Sequence, residues 1–406
     1  MSVFYLALKA IKEKWLSSLL SLILVGFGVA IITALLLLSN QFSNNLEKNA
    51  KGIDAVLGAK GSPMQLILSS IYYVDFPTGN ISYEEAYKVA SSPKVKLWVP
   101  LALGDNFSGY RIAGTNENFV NLYNLELQEG DFWNKDFEVT IGADIAKKKG
   151  IKVGDTIHGS HGLSSADDVH EEHPYRVAGI LKQQNNVVDH LVLTNIESIW
   201  LMHGIGEDDD HHNHDHDGHA EEHAMEGKEI TSMLIQYKSP VSIVTFPKYV
   251  NDNTSMQIAS PAMESARLFS IVGVGVEAFS WLAYMIIFIS VLSVFINLYV
   301  SLRSRKPDLV LMRTLGASRS KVFLLIILEG ILLVTVGAAI GMIMGHIMVQ
   351  CLGSSLEEGQ NVFTGFVFLK EEIYLLLISF IIGILAAVFP ALKAYRSDIS
   401  KILSEK

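Results

Sequence analysis

Cysteine is almost absent from this sequence: Cys351 stands alone, and a single thiol excludes an intramolecular disulfide framework. A second absence concerns nucleotides. No G-x-x-x-x-G-K-[ST] loop occurs in the chain, and the nearest approach, GAKG at Gly58 to Gly61, lacks the spacing that wraps phosphates, so ATP hydrolysis would have to belong to a partner. Charge is scarce too: Asp, Glu, Lys and Arg make up 18% of the 406 residues, against 50% hydrophobic residues and a mean hydropathy of +0.31. Apolar residues at that level, gathered in blocks, exclude an ordinary soluble protein and indicate an integral membrane protein. The net charge of −10 leaves no basic surplus, and no nucleic-acid partner is expected.

The apolar blocks set the topology. Leu16 to Leu38 runs for 23 residues without a charge, long enough to cross a hydrocarbon core of about 30 Å and too long for a signal-peptide core. Three further blocks follow Ser270, near Val272 to Val300, Val322 to Val349 and Ile373 to Phe389. Between the second and third lies a basic stretch, Ser301 to Val322, with Arg303, Arg305, Lys306, Arg313, Arg319 and Lys321 against Asp308 alone. Positive loops stay on the cytoplasmic side, so this stretch orients the rest. The expected order is a cytoplasmic interfacial helix at 1–15, with Phe4, Leu8, Ile11 and Trp15 on one face, then a span at 16–39 and an extracytoplasmic domain at 40–270. A span at 271–300, a cytoplasmic loop at 301–321, a span at 322–350, an outer loop at 351–371, a span at 372–392 and a cytoplasmic tail at 393–406 complete it. Both termini are expected inside a bacterial inner (cytoplasmic) membrane, with 40–270 in the periplasm.

Residues 40–270 carry a balance of −14, the remainder +4. Alternating runs such as KVKLWVPLAL, FEVTIGADIA and TSMLIQYKS, separated by turn residues, predict an α+β domain, with an internal boundary near Gly130. The segment Asp54 to Asn80 is unusually apolar, with Met64, Ile67, Leu68 and Ile71 on one helical face. It either packs under the domain, lies at the membrane surface or receives an apolar partner.

Within the basic stretch, Leu309, Met312 and Leu315 recur at helical spacing, Pro307 lies near the start and Gly316 just past the end. This is a short amphipathic helix with its own stop signal, offered to a cytosolic partner. One span, a large outer domain and three further spans, together with LALKAIKEKWLSSLLSLILVGFGVAI, RSRKPDLVLMRTLGASRSKVFLLIILEG and the closing FPALKAYRSDISKIL, resemble the FtsX/MacB-like permeases of ABC transporters. The resemblance implies four transmembrane helices plus a large α+β, MacB-like periplasmic domain. It further implies a coupling helix at Asp308 to Ser318 that docks a separate cytosolic ABC ATPase, a second permease copy as homodimer or heterodimer, and no catalysis in this chain. A periplasmic accessory protein and membrane lipid are the other expected partners. The coupling residues are then Asp308, Leu309, Met312, Arg313, Leu315 and Gly316.

Twelve of the 13 histidines fall between His158 and His223. His211, His212, His214, His216, His219 and His223 sit among acids in the insertion 207–226, a ligand set suited to Zn²⁺ and also to Ni²⁺ or Cu²⁺, at spacing too irregular for a preorganised tetrahedron. The alternative is a solvated acidic linker. A second group, His158, His161, His170 and His173 with Asp167, Asp168, Glu171 and Glu172, adds ligands if the two loops lie together. Gly337, Gly341 and Gly345, four apart, permit close helix packing within one subunit or between two. Glu329, an acid roughly 12 Å into the third span, is either a packing partner or a functional group. His346 reads as a packed histidine. Two functions remain: a permease subunit whose periplasmic domain handles zinc or another divalent metal, or a mechanotransmission subunit acting on a lipoprotein or envelope protein, in release, export or hydrolase control.

Overall fold

The computed structural model describes residues 3–161, 173–203, 227–314, 316–355 and 363–396, in two compact units. In chain order, helices α1 (Val3–Glu13) and α2 (Trp15–Asn49) lead to β1 (Ala55–Ala59), α3 (Pro63–Ser70), β2 (Ile81–Ser82), α4 (Tyr83–Ala90), β3 (Val95–Phe107), β4 (Tyr110–Thr115), α5 (Glu117–Tyr123) and β5 (Leu127–Gly130). Then come β6 (Glu138–Ile141), α6 (Ala143–Lys149), β7 (Thr156–Ile157), β8 (Ser160–His161), β9 (Tyr175–Leu181), β10 (Leu191–Asn195), α7 (Ile196–Met202), β11 (Glu229–Ile230), β12 (Ser232–Tyr237), α8 (Pro240–Asn253) and β13 (Met256–Ala259). The chain closes with α9 (Pro261–Ser304), α10 (Lys306–Thr314), α11 (Arg319–Ser355) and α12 (Lys370–Tyr395).

Four helices, α2, α9, α11 and α12, are long and apolar enough to cross a membrane, and the large domain is inserted between the first two. Lipid tails offer no hydrophobic drive for helix association, so close packing of small residues has to supply it. The central helix is α11. Its glycine stripe meets α2 of the same chain: a Cβ on Gly337 would lie 3.0 Å from Val25 Cβ, one on Gly341 2.4 Å from the Gly26 carbonyl oxygen, and one on Gly345 2.8 Å from Thr33 Cβ. On the other side Gly330 and Gly383 let α11 and α12 cross, an added Cβ at Gly330 meeting Gly383 O at 2.9 Å. Leu298 of α9 packs against the same Gly330. Pro390 lies inside α12, and the helix continues to Tyr395, three residues beyond the span expected at 372–392. Pro390, Ala391 and Ala394 are all buried there, so packing holds the turn that the missing N–H weakens.

At the far end of α11 the segment 363–369 is hydrogen-bonded to the helices. Gln41 donates to Thr364 O and accepts from Thr364 N, both at 2.8 Å, and Gln350 accepts from Gly365 N at 2.9 Å. His346 lies 2.7 Å from Gly365 O and 3.2 Å from Glu372, with its ring against Phe368. It is packed and doubly partnered.

The large domain is built on one mixed sheet in the order β13-β1-β12-β3-β4-β10-β6-β9-β5, with β7 on β9 and β8 on β3. β4, central in the sheet, is buried throughout, whereas β5 at the edge is largely exposed. The boundary expected near Gly130 does not divide it: β5 ends there in a left-handed turn, at φ +77°, but pairs with β9 in the same sheet, and residues 44–270 form one compact unit. In the apolar segment after β1, Ile67 and Ile71 of the expected face are buried and Met64 and Leu68 half-buried, and α3 also buries Leu66. A change of Gly341→Val should lower the thermal unfolding midpoint of the detergent-purified protein, by about 1–3 kcal/mol of overpacking. Gly273→Ala, where an added Cβ meets nothing within 4 Å, should not lower it.

Candidate functional site

The start of the short helix α10 is tied to α1 by polar contacts. Its anchor begins one residue earlier. Arg305, largely buried, donates through Nη2 to Ala10 O at 2.8 Å and to Glu13 Oε2 at 2.7 Å, tying the start of α10 to α1. Alongside, Lys14 Nζ donates to Ser304 Oγ at 2.5 Å, and Ser17 Oγ donates to Asn297 Oδ1 at 3.0 Å. Burial, and then the neighbouring Arg305 charge, holds the Lys14 ammonium below its ordinary value. Buried Glu329 of α11 faces both cations across this cluster.

The other end of α10 stops on its glycine. Gly316 adopts φ +95°, its N–H donates to Arg313 O at 3.1 Å, and the next N–H, of Ala317, donates to Met312 O at 3.0 Å. This pair of bonds is a Schellman stop, and it needs the left-handed residue that glycine supplies without a Cβ penalty. Ser318 then caps α11, its hydroxyl accepting from Lys321 N at 3.3 Å. α10 is thus anchored to α1 through Arg305 and closed at Gly316.

Of the residues singled out for docking, Met312 and Arg313 are half-buried and Gly316 is exposed. Leu315 and the side chains of Asp308 and Leu309 lie outside the described residues. The periodicity missed Leu311, which is 63% exposed and the largest apolar surface the described part of α10 offers, while Val310 turns inward. The Arg305 anchor was also missed; its only sequence signal is Glu13, the single acid of α1.

The histidines His211, His212, His214, His216, His219 and His223 lie outside the described residues, as do His170, Asp167, Asp168, Glu171 and Glu172. His158 is exposed, and the His173 ring stacks on Phe137 with centroids 5.1 Å apart. Among the described residues no three His, Cys, Asp or Glu side chains gather as a metal-binding group.

Two family models match the chain: a MacB-like periplasmic core domain over residues 18–251 and an FtsX-like permease C-terminal region over residues 280–399. An uncharacterized ABC transporter permease of Methanocaldococcus jannaschii is 20% identical, covering 95% of this chain and 93% of its own length. Among solved structures, the extracellular domain of the noncanonic ABC-type transporter YknZ from Gram-positive bacteria aligns with a TM-score of 0.32 at 14% identity, over 51% of this chain and all of that one. The periplasmic region of MacB from Actinobacillus actinomycetemcomitans aligns at 0.35 and 9% identity, over 56% of this chain and 97% of that one.

The stop at Gly316 is directly testable. Gly316→Val forces a β-branched residue into the left-handed region at about 1–2 kcal/mol. Amide exchange at Ala317 should rise about tenfold, with α12 unchanged; an unaltered Ala317 would show that the stop does not depend on glycine.

Proposed function

The chain belongs to the family of ABC-transporter permeases with a MacB-like periplasmic core domain and an FtsX-like C-terminal region, and from that premise we propose that α10 is the helix gripped by the cytosolic ATPase. Members of this family are membrane subunits whose ATPase activity is carried by a partner, and this chain is the non-catalytic one. The observation that carries the reading is the double fixation of α10: a helix tied to α1 through Arg305 and stopped at Gly316 transmits force.

Motion received at α10 passes to α9 and α11, and the chain enters and leaves the large domain through α2 and α9, each one unbroken helix. With α10 on the cytoplasmic side, the large domain lies outside the cytoplasm, and ATP binding by the partner drives its movement. The family implies a dimeric arrangement, and the exposed aromatic face of α9 with Trp281, Tyr284 and Phe288 is the surface we assign to lipid and to the second permease copy.

For the cargo, the histidines between His158 and His223 favour zinc or a similar divalent metal, handled at the large domain by a loop that chelates weakly. A second reading, transmission of force to a lipoprotein or other envelope protein, draws on exposed Val241, Ile243 and Val244 of α8, an apolar surface fit for a protein partner.

Affinity purification of the tagged chain from its native membranes should bring ATP-hydrolysing activity with it. Arg313→Glu combined with Leu315→Asp, and separately Leu311→Asp, should remove that activity while leaving the amount of permease unchanged. Undiminished co-purification in both variants would overturn the assignment of α10.

A further inference from the structure

The last turn of a helix leaves polar groups without intrahelical partners, and a helix that runs into a folded domain meets the donors of that domain there. The final turn of α2 meets three. Leu46 O accepts the Ala50 N–H at 3.2 Å and also the Tyr72 hydroxyl at 3.2 Å. Asn49 O accepts the Tyr123 hydroxyl at 3.3 Å, and Asn49 Oδ1 accepts the Val187 N–H at 3.0 Å. Both tyrosines are buried.

Tyr72 differs from the other two donors in reaching a second helix. Its oxygen lies 2.9 Å from Ser265 Oγ, in the second turn of α9. A phenol carries one proton and a carbonyl can only accept, so Tyr72 donates to Leu46 O and the Ser265 hydroxyl donates to Tyr72 Oη. One oxygen atom therefore joins the helix by which the chain enters the large domain to the helix by which it leaves. The same two helices lead to neighbouring strands: α2 runs on to β1, β13 runs on to α9, and β1 and β13 pair antiparallel at one edge of the sheet, with Val56 opposite Ala259 and Ala59 opposite Met256. A displacement of one helix against the other would load that pair in shear.

The backbone around Tyr72 is shaped for the contact. Just past the end of α3, Tyr73 adopts φ +55°, the left-handed conformation that a helix stop usually gives to glycine or asparagine, and the Val74 N–H closes the turn on Leu68 O at 3.2 Å. A bulky residue persists in that region only where its surroundings over-determine it. On the far side of the turn, buried Arg111 of β4 donates through Nη2 to Asp75 O at 2.9 Å and sets its guanidinium 5.8 Å from the centre of the Phe76 ring. The turn is thereby fastened to the middle strand of the sheet.

We propose that Tyr72 latches α2 to α9 at the root of the large domain, so that the two helices reach the sheet as one body, and that the turn 71–76 relays their motion to β4 through Arg111. Tyr72 is then a positioning residue for the transmission of force, and the proposal rests on the reading of this chain as an ATP-driven permease. Without the latch the two helix ends move separately, and part of any displacement is lost as shear between β1 and β13.

Hydrogen–deuterium exchange of the full-length chain, purified in detergent, tests the latch without the ATPase. Tyr72→Phe keeps the ring and removes only the hydroxyl; it should raise exchange at 46–50 and at 262–268 together, by about 3–10-fold. Tyr123→Phe should raise it at 46–50 alone. Ser265→Ala, at a half-buried position, should raise it at 262–268, and combining it with Tyr72→Phe should add nothing there, because both remove one contact. Exchange in β10 and β12 should stay native, separating loss of the latch from misfolding. Unchanged exchange at 262–268 in both Tyr72→Phe and Ser265→Ala, or full additivity of the two, overturns the latch. In the complex co-purified with the ATPase, ATP should alter exchange at 71–76 in the native chain, and in Tyr72→Phe that response should be lost while ATP hydrolysis continues. A response of native size in Tyr72→Phe overturns the relay. A native complex without any ATP response contradicts the transmission reading, and the latch is then decided by exchange in the isolated chain.

Discussion

Gly341 approaches α2 so closely that an added Cβ would collide with the Gly26 carbonyl oxygen, and the packing of α11 on α2 depends on that approach. In lipid, helices gain little from burying leucine, because the surroundings are as apolar as the interface. Contact then depends on how near two backbones come. The stripe Gly337, Gly341 and Gly345 supplies that nearness toward α2, Gly330 supplies it toward α12, and α9 fills the remaining side through Leu298. The entry to the large domain through α2 and the C-terminal pair α11 and α12, far apart in sequence, are thereby held in one bundle.

On that bundle sits a polar device that lipid cannot support unless it is compensated. Lys14 and Arg305 come together near the α1–α2 junction with Glu13 and buried Glu329, and the arginine also uses the Ala10 carbonyl. Glu329 is buried and the Arg305 side chain largely so, while Glu13 is 65% exposed, so losing Glu329 or Arg305 costs more than losing Glu13. The cluster stands at the root of α10, where the proposed ATPase contact would push. Rigidity here serves transmission: a helix that frayed would absorb motion instead of passing it on.

Much of this was legible in the residues. Uncharged runs announced the four long helices, because a charge in hydrocarbon is costly enough to leave a clear pattern. Gly316 announced the end of α10 because only glycine enters the left-handed region freely. Other features were hidden for physical reasons. Arg305 and Glu13 are 292 residues apart, and neither carries a local mark that it will meet the other. Pro390 reads as a stop by local rules, yet packing of Ala391 and Ala394 carries α12 past it. Leu311 escaped the periodicity because it breaks the spacing of Leu309, Met312 and Leu315, and its exposure depends on which face α10 turns to the bundle. Tyr72 and Ser265 lie in separate segments, 193 residues apart, and only the fold of the large domain brings them together.

The central claim is that α10 is the point of contact with a cytosolic ATPase. Cys351 is exposed and is the one cysteine of the chain, so Cys351→Ser gives a background free of thiols. In that background, Leu311→Cys treated with a short bifunctional thiol cross-linker in native membranes should yield a covalent adduct between the permease and its ATPase, while Phe279→Cys on the exposed face of α9 should not. An ATPase adduct from Phe279→Cys with none from Leu311→Cys would contradict the account.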